Sequence, residues 1–192
     1  MMVSWLELRR KLFHFSFGAV LVALIYFNII NVKGVLILLA ILLLAGIAVT
    51  RWEVPLLTEI FKKLERTKNI NKFPGKGSVF YLVGALVALV LFEKDIAMAS
   101  IIILAIGDAV APYIRKFSRV PSNKRLFVGL VVGTICSTLG AMVFISPLEA
   151  ALAALAAMMV EGIDVKIGIN KIDDNIIIPP VAGLVVWILR SL

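Results

Sequence analysis

The chain has one cysteine, Cys136, one histidine, His14, and no glutamine in 192 residues. A single cysteine rules out an intramolecular disulfide and a cysteine-based metal site. The lack of glutamine matches the amide depletion of thermophile proteins and says nothing about activity. Acidic residues are few, 12 against 20 basic, for a net charge of +8. Internal repeats, low-complexity tracts and domain linkers are also missing, so the chain reads as a single domain over residues 1–192. What is abundant is apolar: hydrophobic residues make up 61% and the mean hydropathy is +1.05. Soluble domains run at roughly 45–50% apolar, so composition selects an integral membrane protein.

The apolar residues come in blocks close to the roughly 20 residues that a bilayer core of about 30 Å demands of a helix. They fall near 14–30, 34–50, 77–92, 96–114, 127–145, 147–161 and 175–190. This pattern predicts an all-α, multi-pass protein of about seven transmembrane helices. No small-residue cleavage site follows the first block, so it is read as a retained helix and not a signal peptide. With these spans, seventeen of the twenty Lys and Arg residues fall on one side, and only Lys33, Lys94 and Arg190 on the other. The positive-inside rule then predicts a cytoplasmic N-terminus and an outside C-terminus. The basic residues also suit anionic lipid headgroups, whereas no nucleic-acid motif accompanies them and that partner is excluded. Between the second and third spans, Val54, Leu57, Ile60, Phe61 and Leu64 recur at helical spacing among lysines. They predict an amphipathic helix near 53–66 on the cytoplasmic membrane surface.

Four polar constellations lie on that same side, at the membrane edge where an unpaired charge is costly and implies a task. In the first, Glu7, Lys11, His14 and Gly18 share one helical face. The second is Pro74-Gly75-Lys76-Gly77, in which glycine permits close backbone approach and lysine could neutralise a phosphate, although the Walker spacing is missing. The third is Gly107-Asp108-Ala109-Val110-Ala111-Pro112, followed by Arg115, Lys116, Arg119, Lys124 and Arg125. Pro112 cannot donate to the carbonyl of Asp108, and a membrane carboxylate with cations beyond it suits a Mg²⁺–nucleotide site. The competing structural reading pairs Asp108 with a nearby arginine. The fourth is Glu161-Gly162, then Asp173-Asp174-Asn175, then Pro179-Pro180, which frees the carbonyls of Asn175 and Ile176.

Together these constellations resemble the family of dolichol kinases, phytol kinases and CTP-dependent diacylglycerol kinases, nearly end to end. The N-terminal Glu-x-x-Arg-Lys-x-x-His-x-x-x-Gly is matched by Glu7, Arg10, Lys11, His14 and Gly18. Gly-Asp-x-x-Ala is matched by Gly107, Asp108 and Ala111, and the late Glu with Asp-Asn-x-x-x-Pro by Glu161, Asp174, Asn175 and Pro179. The chain departs where the family continues with glycine and then Lys-x-x-Glu-Gly: Arg115 stands for the glycine, and Arg125-Leu126-Phe127-Val128-Gly129 has no glutamate.

The resemblance implies phosphoryl transfer from CTP to a polyprenol- or dolichol-type alcohol, with Mg²⁺ as cofactor, at the cytoplasmic membrane face. Asp108 with one or both of Glu161 and Asp174 would hold the metal. Lys76, Arg115, Lys124 and Arg125, with Gly75 and Gly107, would cradle the triphosphate, and Asn175 would orient a phosphate or the metal. Asp108, Asp174 and His14 all stand as candidates for the general base. A cytidylyltransferase making a CDP-lipid would want the same residues, and Val128 in place of the glutamate leaves an inactive homologue as a third reading. A homo-oligomer is compatible with the pattern, which does not specify one.

Overall fold

In a computed structural model, the protein is described over residues 5–52, 54–64, 73–118, 121, 124–162, 166–167 and 170–192. The described residues form eight helices: α1 (Trp5–Tyr26), α2 (Val32–Trp52), α3 (Pro55–Leu64), α4 (Lys76–Leu91), α5 (Lys94–Phe117), α6 (Arg125–Ala141), α7 (Pro147–Gly162) and α8 (Asp174–Ser191). A two-residue antiparallel pair, β1 (Lys166–Ile167) with β2 (Asn170–Lys171), precedes α8. The expected all-α class holds, and each of the seven apolar blocks coincides with one long helix. The first is shifted: α1 starts well before residue 14 and stops at Tyr26, because its polar first turns are helical too. Three helices, α2, α5 and α8, are long and apolar enough to cross a membrane, while α4 and α6 are apolar but shorter.

Local chemistry accounts for the breaks. Asn28 takes a left-handed φ of 57° in the turn after α1, a conformation that Asn tolerates better than most residues. Gly75, at φ 74°, starts α4 where a side chain would be strained, and Phe61 of α3 packs directly over it. α7 opens with a capping box: Ser146 N–H donates to Glu149 Oε2 at 2.8 Å, and Pro147 occupies the first helical position. α8 is capped by Asp173, whose side chain accepts from Asn175 N–H at 3.2 Å.

α5 is the centre. It is buried round most of its circumference between Ile96 and Ala111, as a helix apolar on all sides must be. α4, α8, α7 and α6 follow one another around it, α1 lies along it on the remaining side, and α2 packs on the outside of α4. Small residues set the close approaches. A Cβ on Gly107 or Gly133 would collide with the Met158 side chain of α7, so the two glycines make the space that this side chain fills between α5, α6 and α7. Gly84 of α4 accepts the carbonyl oxygen of Asn175 against its bare Cα; that oxygen is one of the two that Pro179 and Pro180 leave without a helical donor. Ile37, Ile41, Leu44 and Ile47 form an exposed aliphatic stripe along α2, the surface expected of a helix that faces hydrocarbon.

The amphipathic helix predicted near 53–66 appears as α3; residues 53, 65 and 66 lie outside the described residues, as do the cations Lys68, Lys72 and Arg119. At the opposite end of the bundle Arg190 binds three carboxylates: Glu149 through Nε at 2.8 Å, Asp95 through Nη2 at 2.8 Å and Glu93 through Nη1 at 3.4 Å. Lys94 Nζ donates to Asn28 Oδ1 at 2.6 Å and to the Tyr26 carbonyl at 3.1 Å. These contacts tie the ends of α1, α5, α7 and α8 together. Partly exposed pairs contribute roughly 0.2–1 kcal/mol each, so Arg190→Ala is expected to lose about 1–2 kcal/mol. A thermal unfolding midpoint in detergent unchanged from the parent would show that the clamp adds nothing.

Candidate functional site

Three constellations distant in sequence meet at the other end. Lys11 of α1 forms an ion pair with Asp108 of α5, and both are largely shielded from solvent. The reading in which an arginine pairs with Asp108 is thus corrected: the partner is a lysine from the first helix, brought there because Gly18, seven residues on, lets α1 settle against Ala105 of α5. A charged pair in such surroundings has lost its hydration and needs its partner in place. Arg10 pairs with Glu7 at 2.6 Å and lies close to Gly77 at the edge of the same cluster.

α4 supplies the floor. His14 is buried with its ring edge-on to Tyr81, centroids 5.7 Å apart. Tyr81, fully buried, donates its hydroxyl to the Ile101 carbonyl at 3.3 Å. Gly77 is bare because a Cβ there would stand 3.1 Å from His14 and 3.4 Å from Arg10. Its carbonyl accepts from Asn175 Nδ2 at 3.3 Å, which docks the start of α8 onto the same spot. Among the described residues two buried oxygens here lack a donor, Asp108 Oδ2 and Asn175 Oδ1, although buried polar atoms are nearly always satisfied. Asp173, the cap of α8, has its carboxyl pushed above the usual range by burial, against the Asn175 N–H that favours the charged form, with the negative Asp108 adding to the rise.

Glu161 stands apart. It pairs with Arg115, whose Nε also donates to the Ala111 carbonyl at 3.1 Å, and the Arg115 stem lies across Gly129. The expected triad of Asp108, Glu161 and Asp174 is not assembled: among the described residues no group of three or more His, Cys, Asp or Glu could hold a metal. Asp174 opens α8 beside the cluster, half-buried and with a polar partner. Gly107 turns away toward Met158 and Ser137 and is a packing residue. Lys76 lays its ammonium 5.1 Å from the Phe80 ring centre at the head of α4, next to Gly75. Lys124 and Arg125 are exposed at the start of α6. The structure adds Lys11, Gly77 and Tyr81 to the site. Lys11 had a signal in sequence, its place on the face of His14 and Gly18, and Gly77 had one in the Pro74-Gly75-Lys76-Gly77 run; Tyr81 had none.

The oxygens of Asp108 and Asn175 are hard ligands of the kind Mg²⁺ prefers, and too few for a closed cage.

No family model matches the chain, and no solved structure matches it. An uncharacterized protein of Methanocaldococcus jannaschii is similar to it, 25% identical over 189 residues, which cover 94% of this chain and 92% of that protein.

Two outcomes test the cluster. Lys11→Met strands a buried carboxylate and is expected to cost about 3–5 kcal/mol, most of it recovered when Asp108→Asn is added. Losses that simply sum would show the two residues to be uncoupled. For Asp173 the folded-state pKa lies above the unfolded one. Its stability contribution is therefore full below the unfolded value and is lost as pH rises through the folded value. Asp173→Asn keeps a cap acceptor and should unfold at higher temperature than the parent near neutral pH, the gain shrinking as pH falls toward about 4. A gain that grew on acidification would contradict this.

Proposed function

We propose that the chain is a multi-pass membrane enzyme of seven spans, N-terminus cytoplasmic, which transfers the γ-phosphoryl group of CTP to the hydroxyl of a polyprenol- or dolichol-type alcohol at the cytoplasmic face. One observation carries the reading: residues from all three motifs that resemble the lipid-alcohol kinases, Lys11 and His14, Asp108, and Asn175, converge on one buried cluster with two unsatisfied oxygens. The choice of CTP over ATP rests on the resemblance.

Phosphoryl transfer asks for positioning and charge neutralisation more than covalent chemistry. Lys11 pairs with Asp108 and restrains its position. Asp108 Oδ2 and Asn175 Oδ1 would hold a Mg²⁺, which neutralises charge on the phosphates. Arg10, beside Gly77, and Lys76, at the positive end of α4, would face the triphosphate, while Arg115, committed to Glu161, acts by bracing α5 against α7. The alcohol oxygen attacks the γ-phosphorus, the bond to the β-phosphate oxygen breaks, and CDP leaves. The alcohol proton goes to His14, imidazole being the commonest acceptor for such a step.

Purified protein with Mg²⁺, geranylgeraniol and CTP labelled at the γ-phosphate is expected to move label into the lipid, with labelled ATP much poorer. Asp108→Asn should reduce transfer by about 10²-fold or more, the scale seen when a preorganised electrostatic group is removed. Pyrophosphate release with a lipid phosphate in place of the alcohol would reassign the chain as a cytidylyltransferase. Near-parental turnover of Asp108→Asn would remove Asp108 from the mechanism.

A further inference from the structure

The aliphatic stripe of α2 stops at a definite level. Ile37, Ile41, Leu44 and Ile47 are exposed along one face, and the next residue on that face, four further on, is the exposed Arg51. One helical turn, about 5.4 Å, thus separates a side chain suited to hydrocarbon from one suited to headgroups. The start of α4 lies at the same level, since a Cβ on Gly46 would stand 3.1 Å from the Pro74 carbonyl oxygen. α3 begins at Pro55, just past this boundary, and touches both α1 and α2.

The two faces of α3 differ. Inward, Phe61 is 9% exposed and closes, with Leu42 of α2, on the bare side of Gly75. Outward, Leu56 is 72% and Ile60 45% exposed, one turn apart on a single face, and Trp52, four residues before Leu56, is exposed as well. Lys62 and Lys63 are exposed in the last turn, and Glu59 is the one acid among residues 54–64. Water would strand the leucine and isoleucine, and a hydrocarbon surface would strand the lysines. Both are accommodated at the boundary between headgroups and acyl chains, where anionic lipid draws the lysines in.

We infer that the outer face of α3 is a docking surface for an anionic phospholipid leaflet, and that this docking steadies the start of α4. The connection is short. Phe61 rests on Gly75; two residues on, Gly77 faces His14 and Arg10, and its carbonyl accepts from Asn175 Nδ2. A leaflet that seats α3 therefore acts on the floor of the buried cluster through one side chain. The inference rests on the membrane-spanning reading above and not on phosphoryl transfer.

Hydrogen–deuterium exchange of the whole protein tests this in nanodiscs of phosphatidylcholine alone and of phosphatidylcholine mixed with phosphatidylglycerol, without nucleotide or lipid alcohol. The anionic lipid is expected to slow exchange in α3 by roughly tenfold or more, the scale of two lysines drawn to a charged surface, and to slow it at the start of α4 too. High salt should abolish both effects, as should Lys62→Glu combined with Lys63→Glu. Phe61→Ala should keep the effect on α3 and lose that on α4. Equal exchange in the two discs, or slowing that survives the charge reversal, overturns the docking, and slowing confined to α3 in the parent overturns the link to α4. Protection that follows the number of copies per disc would assign the face to a second copy of the chain instead. No turnover is measured, so the two readings separate: lipid-dependent exchange without phosphoryl transfer keeps the docking and removes the kinase, and transfer with exchange indifferent to lipid charge does the reverse.

Discussion

The ion pair between Lys11 and Asp108 is the constraint around which this end of the molecule is organised. Neither charge can stand alone in an apolar bundle, so α1 and α5 must sit in one register, with Gly18 against Ala105 and His14 against Tyr81. Once α1 is fixed, His14 and Arg10 leave little room for a Cβ at Gly77, and the Gly77 carbonyl is the acceptor that locates Asn175 and with it the start of α8. A single electrostatic requirement thus propagates through four helices. It also explains why the pair sits at one end: a buried pair can be replaced by apolar residues with little loss, and its retention beside two unsatisfied oxygens argues for use.

The two ends of the bundle are built on different principles. At one, Arg190 and Lys94 make partly exposed ionic contacts among loops and helix termini. At the other, the charges are internal and paired between helices, Lys11 of α1 with Asp108 of α5 and Arg115 of α5 with Glu161 of α7.

Much of the fold was legible because hydropathy is a property of blocks, and seven blocks gave the seven long helices. The first was misplaced since Glu7 to Lys11 is too polar to read as part of a span, though its charges are consumed in pairs once folded. Pairing between helices was not legible. Asp108 and Glu161 look equivalent in sequence, each an acid near a membrane edge, but one faces Lys11 and the other Arg115. Gly107 looked like part of a phosphate cradle because it adjoins Asp108, yet neighbours on a helix point about 100° apart, and its face belongs to Met158. Tyr81 carried no signal, since an aromatic in an apolar run is ordinarily core.

The Arg190 clamp has an electrical side. Among the described residues its end of the bundle carries three bases, Lys33, Lys94 and Arg190, and three acids, Glu93, Asp95 and Glu149, while the other end carries thirteen bases and six acids, so the excess of positive charge belongs to that other end. The molecule is therefore a dipole directed along its own helices. In a bilayer held negative on one side, such a dipole would have its lowest energy with the basic end toward the negative side.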